Sequence, residues 1–253
     1  ERDEHSRLQA KLAAAALRAG ELRLAADAWR RVAGDDPTRV DEAADGLEAV
    51  AQEADRRGDT VALRDAVLGL RAAAPERPVG RQVLALTRHA ALVGSEAVAL
   101  LPAAMAAAAD AGTVDSLLAA YAAAVQTSSG CEQAAPAYRA ALRRTRSSVV
   151  RTLAGGGLAT CALNLGLAAL GNGHPADAEQ WLVQAVRVDS VSWTGRRALI
   201  ALGDARVGQG DILAAAIAYQ SAADAGADSL GRIARERLSR LGAGGSEPNR
   251  RSQ

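Results

Sequence analysis

The chain has no phenylalanine, and its rings amount to three Trp and three Tyr in 253 residues. A core with so few rings has to be built from Ala, Leu and Val. Ala alone makes up about a quarter of the sequence, far above ordinary usage. The β-branched and aromatic clusters that favour strands are scarce. Ala is the best helix former and lets helix backbones approach closely. The expected fold class is therefore all-α. Charge of one sign is missing too: 30 basic against 29 acidic residues leave a net charge of +1. No global field draws such a chain onto nucleic acid or an anionic membrane. Lys11 is the only lysine. The bias toward Arg and Ala follows GC-rich codons, and we do not read it as a phosphate site. Long apolar runs are absent as well. The longest, from Ala97 to Ala109, is mostly Ala and is broken at Pro102, short of the roughly 18–20 residues a membrane-spanning helix needs. Neither a transmembrane segment nor a signal peptide is expected within the chain.

Groups that carry chemistry are equally sparse. His5, His89 and His174 are far apart, and none has the i, i+4 partner of a helical metal site. Gly155-Gly156-Gly157 lacks the Lys-Ser/Thr of a phosphate loop and follows no strand. There is no Gly-x-Ser-x-Gly elbow. The expectation is a non-enzymatic protein with no catalytic residues, no cofactor and no metal.

What is present is a repeated phrase. A small residue, then Gly-Asp or a near variant, precedes an apolar stretch with Ala five residues after the Gly. The clearest copy is Gly210-Asp211 with Ala215, Tyr219 and Ala222. Others are Gly173-His174 with Ala178, Leu182 and Ala185, and Gly20-Glu21 with Ala25, Trp29 and Val32. Weaker copies centre on Gly58 (Leu63, Val67, Leu70), Gly94 (Ala99, Ala103, Ala106) and Ser129 or Gly130 (Ala134, Tyr138, Ala141). The spacings are 38, 36, 35 or 36, 44 or 43, and 37 residues. A unit of this size cannot bury its apolar face alone, so copies must stack. Asp59, Ser95 and Asp211 stand where the second helix of a unit should begin, placed to accept from its free N–H groups, and Pro175 suits a first helical turn.

On these residues, with the small pairs Leu12-Ala13, Leu165-Gly166 and Leu202-Gly203 in the first helices, the chain resembles tetratricopeptide repeat proteins, whose period is 34 residues. The resemblance implies a right-handed α-solenoid of about six helical hairpins. Repeats one to four would occupy residues 6–148 and repeats five and six residues 159–229. A capping helix at 230–241 and a disordered polar tail at 242–253 would follow. The intervening 149–158, with its three glycines at roughly 1 kcal/mol each in a helix, is expected to be a bent junction between two subarrays.

In that family the first helix of each unit lines the inner surface. Carried over, the groove positions are Asp45, Glu48, Gln52 and Asp55 in repeat two, and Arg81, Leu84 and Arg88 in repeat three. Repeat five supplies Leu163, Leu167 and Leu170, and repeat six supplies Arg197, Ile200 and Asp204. Such a groove would be charged at one end and apolar at the other, suited to a peptide or helix with an apolar face. The family's clamp for a terminal carboxylate is not expected, because Asp45, Glu48 and Gln52 hold the matching positions.

The two cysteines, Cys131 and Cys161, lie about equally far from the turn near Arg146. An antiparallel hairpin would bring them side by side as a disulfide, which persists only in an oxidising compartment. Two separate small core residues are the alternative. The function expected is a protein–protein interaction scaffold or accessory subunit of a larger complex, binding protein or peptide partners. A periplasmic or cell-envelope setting is favoured by the cysteine pair and by a start at Glu1 rather than Met, with a lipid anchor upstream left open. The last two repeats and the segment Ala234-Arg235-Glu236-Arg237-Leu238 are similar to envelope-assembly lipoproteins of this family. The alternative is the repeat portion of a cytoplasmic regulator cut from a longer chain.

Overall fold

A computed structural model describes residues 2–244, and the expected tail falls outside the described residues from 245 onward. Among the described residues there are thirteen α-helices and no strand. They run α1 Arg2–Ala19, α2 Leu22–Asp35, α3 Val40–Arg57, α4 Thr60–Ala73, α5 Gly80–His89, α6 Gly94–Ala107, α7 Ala111–Ser129, α8 Cys131–Arg144, α9 Ser148–Gly171, α10 Pro175–Val188, α11 Trp193–Gly208, α12 Ile212–Asp224 and α13 Ser229–Gly244. The fold is all-α: six helical hairpins and one further helix, which packs on α12.

The hairpin turns fall where the repeated phrase puts them. Among the described residues every positive-φ residue is a glycine, and these are Gly20, Gly58, Gly94, Gly130, Gly173 and Gly210, one at the turn of each hairpin, with Gly94 the first residue of α6. At Gly58 the chain leaves α3 in the left-handed region with φ 71° and ψ 19°. Asp59 then accepts the N–H of Ala62 at 3.0 Å and starts α4. Asp211 caps α12 in the same way, taking the N–H of Ala214 at 3.0 Å. Pro175 opens α10. Ser95 does not cap α6: the helix begins one residue earlier, Val93 holds the capping position, and no side chain accepts there.

The chain forms two compact units, residues 1–124 and 125–253, so the division falls inside α7 rather than at the glycine triplet. In the first unit α1 packs on α2, α3 on α4 and α5 on α6, and α2 also lies against α3 and α4. Its core is built on Trp29, Leu47, Val50, Leu63, Leu70, Leu86 and Leu100 among many alanines. In the second unit α9 is central, packed by α8, α10 and α11, while α12 lies between α11 and α13. Leu163, Leu182 and Leu202 anchor one cluster there, and Leu199, Tyr219 and Leu230 another.

The bent junction expected at 149–158 is absent. Residues 148–171 form one helix of 24 residues that runs through Gly155-Gly156-Gly157. Three glycines weaken a helix by about 3 kcal/mol relative to Ala, so packing has to offset the loss. A β-carbon at Gly157 would collide with the ring of Tyr138 on α8, whereas at Gly156 it would meet nothing within 4 Å. Gly157 is thus the seat of the Tyr138 ring. The same device recurs where Gly166 receives Leu182, Gly203 receives Tyr219 and, in the first unit, Gly46 receives Trp29.

By length and composition α9 could cross a bilayer, with a mean hydropathy of 1.6. The sequence reading missed this because it treated the triplet as a break. Leu158, Cys161, Ala162 and Leu163 of α9 are buried and three helices pack on it, so here it serves as a core helix.

Candidate functional site

In the first unit, α3, α5, the end of α6 and the link between α4 and α5 enclose a cleft of about 1020 Å³. Helix α3 contributes Glu48, Ala51, Gln52 and Asp55 at 3.6-residue spacing, and α5 contributes Arg81, Ala85 and Arg88 in the same way. Ala103, Ala106 and Ala107 of α6 form a small-residue wall, and Arg71 and Arg77 stand at the rim. Five of the expected groove residues, Glu48, Gln52, Asp55, Arg81 and Arg88, therefore meet around one cavity. Asp45 does not line it but binds Arg77, which does.

Most charges around the cleft are matched. Arg77 lies 2.5 Å from Asp45, 3.1 Å from Asp41 and 3.8 Å from Glu48. The hydrogen bond to Asp45, and then the one to Asp41, holds its pKa above the ordinary arginine value. This ties the stiff Pro75-Glu76-Arg77-Pro78 link to α3. Arg88 donates to Asp55 at 2.9 Å, and His89 Nε2 lies 2.8 Å from the other oxygen of the same carboxylate. Arg71 donates to the backbone carbonyl of Ala99 at 2.7 Å. Arg81 is exposed and, among the described residues, has neither a hydrogen bond nor an ion pair.

Sequence reasoning missed Arg71, Arg77 and the α6 alanines. The inner-surface pattern covers only the first helix of each hairpin, and these residues come from a link and from second helices. The doublet of prolines at 75 and 78 was the available signal, since two prolines three residues apart stiffen a loop.

The positions carried over to the second unit do not line a groove. Leu163 is 3% exposed and belongs to the core, Ile200 is likewise buried, and Leu167 packs half-buried on the Leu163 cluster. Asp204 accepts the Tyr219 hydroxyl at 2.6 Å and pairs with Arg237 at 3.3 Å. Arg197 lies outside, 5.1 Å over the exposed ring of Trp193. Helical periodicity assigns a residue to a face, but whether the next helix covers that face depends on how the hairpins pack. In this unit α9 is covered on several sides.

Cys131 and Cys161 are joined as a disulfide with Cα atoms 4.8 Å apart, and no free cysteine accompanies them among the described residues. It closes a loop 30 residues long, which in the chain-entropy account contributes on the order of 3–4 kcal/mol. A second depression of about 810 Å³ lies along α10, lined by Glu179, Val183, Gln184 and Arg187 with Arg139 of α8 and Gln209. Arg139 stacks 5.2 Å over Trp181 and donates to Gln184. No group of His, Cys, Asp and Glu that could hold a metal ion occurs among the described residues.

No protein-family model matches the chain, and no curated protein matches it. Among solved structures, the apo form of the quorum sensor NprR from B. thuringiensis is similar at 15% identity and a TM-score of 0.38, over 87% of this chain and 57% of that one. The chain thus spans little more than half of that neighbour's length. BtubC (BKLC) from P. vanneervenii is similar at 16% identity and a TM-score of 0.29, over 97% of this chain and 96% of that one.

Proposed function

We propose that this helical-repeat protein, with hairpins of tetratricopeptide type, is a non-enzymatic scaffold that holds a segment of a partner protein in the cleft of its first unit. The observation that carries this reading is the unmatched Arg81 beside a small-residue wall. The cleft is lined by Arg71, Arg77, Arg81 and Arg88 against Glu48, Asp55 and Glu76. Arg77 and Arg88 are already occupied by carboxylates. A partner that presents a carboxylate to Arg81 and small side chains to Ala85 and Ala103 satisfies both the charge and the shape. The disulfide supports a setting in the cell envelope or another oxidising compartment, where such a scaffold would serve as one subunit of a larger complex.

Affinity capture from the native source tests it. Arg81→Glu should reduce the captured partner at least about tenfold, as reversal of an interfacial charge does, and leave the helical circular dichroism unchanged. Capture equal to wild type would place the contact elsewhere on the molecule and overturn the assignment of this cleft.

A further inference from the structure

We propose that Cys131 is a thiol-exchange site, and that its bond to Cys161 is the clasp that keeps the first half of α9, residues 148–158, helical. Three observations combine. The bond joins the first residue of α8 to the middle of α9. The two residues differ in exposure: Cys161 is 0% exposed, whereas Cys131 is only half-buried. The segment it secures contains Gly155-Gly156-Gly157, three consecutive glycines that each cost a helix about 1 kcal/mol relative to Ala.

A thiolate needs an open approach to the sulfur it attacks, so access selects Cys131. The thiolate of a small dithiol attacks Cys131 Sγ, the bond between the two protein sulfurs breaks, and Cys161 leaves with the electron pair and takes up a proton. The second thiolate of the reductant then attacks the mixed disulfide and releases Cys131, which is protonated in turn. The protein has gained two electrons and two protons, and the dithiol has become a cyclic disulfide. What remains to hold the glycines is the buried face of Val150, Ala154 and Leu158, Val188 of α10 beside Gly155, the ring of Tyr138 against Gly157, and the Ser147 cap, whose Oγ accepts from Val150 at 3.4 Å. Without the bond these contacts do not offset the three glycines. Reduction therefore frays α9 from its first turn to the glycines and uncovers the α8 face that Tyr138 occupies.

Hydrogen exchange read by mass spectrometry on the full chain tests this, with dithiothreitol as the dithiol. Amides of 150–158 should exchange at least about tenfold faster after reduction, while those of 162–170 and of α3 change little. Reoxidation should restore protection. Gly156→Ala, which adds a methyl group where no atom lies within 4 Å, should suppress most of the reductive response because it strengthens the helix without touching either cysteine. Brief exposure of the oxidised protein to reduced glutathione, quenched with acid and followed by peptide mapping, should find the mixed disulfide on Cys131, with Cys161 released as a thiol. Unchanged exchange at 150–158, or equal acceleration across α9 to α12, would overturn the clasp. Glutathione found on Cys161 would overturn the assignment of the attacked sulfur.

Discussion

The ring of Tyr138 fills the space that a side chain at Gly157 would need, and its hydroxyl donates to Gln126 Oε1 at 2.7 Å. The ring is buried and fixed at both ends, so it has nowhere to go when a methyl group appears beneath it. Gly157→Ala should therefore destabilise the protein by about 1–3 kcal/mol, the usual cost of overpacking, although Ala is the better helix former. Gly156→Ala, one residue away and facing open space, should stabilise by about 0.5–1 kcal/mol. Urea midpoints of the two variants measured side by side separate steric seat from helix propensity. Two shifts of the same sign would refute the account.

Gly58 presents the opposite case. A β-carbon there would meet nothing within 4 Å, yet φ is +71°. Any cost of Gly58→Ala is then a backbone cost, about 1–2 kcal/mol for an L residue in the left-handed region. Its magnitude should be insensitive to the size of the replacement, so Gly58→Ala and Gly58→Leu should lower the thermal midpoint by similar amounts.

These two glycines explain why part of the fold was legible and part was not. Gly58 and its five equivalents turn the chain by a local requirement, a positive φ, and a local requirement is written in the local sequence. The number of hairpins is accordingly legible from the spacing of these glycines. Gly157 answers to Tyr138, 19 positions earlier and on another helix. Propensity alone turned the triplet into a break, and tertiary packing overrode it. The candidate site divides the same way. Glu48, Gln52, Arg81 and Arg88 were found by the register of α3 and α5. Leu163 was misassigned because its burial depends on the neighbouring helices that cover α9.

Asp228 ties the link before α13 to α11. Its two oxygens accept from both terminal nitrogens of Arg196 at 2.8 and 2.5 Å, and one also accepts the Gly231 N–H at 3.1 Å. The Arg196 hydrogen bonds, with help from that N–H, hold its pKa below the usual carboxylate range, down to about 2. A depressed carboxylate adds stability above its unfolded pKa of about 3.9 and loses it as pH falls toward the folded value. Asp228→Asn should lower the urea midpoint at pH 6, and its gap to wild type should close between about pH 4 and pH 2. A gap that stays constant through this range would mean the carboxylate charge contributes nothing.

Tyr219 makes the corresponding argument at the alkaline end. Its ring sits against Gly203, it is 2% exposed, and its hydroxyl donates to Asp204 at 2.6 Å. Burial, and then the hydrogen bond and charge of Asp204, push the phenol pKa well above its ordinary value, with Arg237 acting weakly in the opposite sense. The folded chain thus keeps a proton that the unfolded chain gives up near pH 10. The stabilisation is complete below that pH and is lost as pH rises past it. Tyr219→Phe should cost about 1 kcal/mol at pH 7, toward the low side for a buried hydrogen bond because Arg237 still satisfies Asp204. The variant has no phenol to ionise at this position, so its midpoint should fall less steeply than wild type between about pH 9 and pH 11. The two curves should converge as the pH rises, and curves that ran parallel would show that this hydroxyl is not what makes the fold base-sensitive.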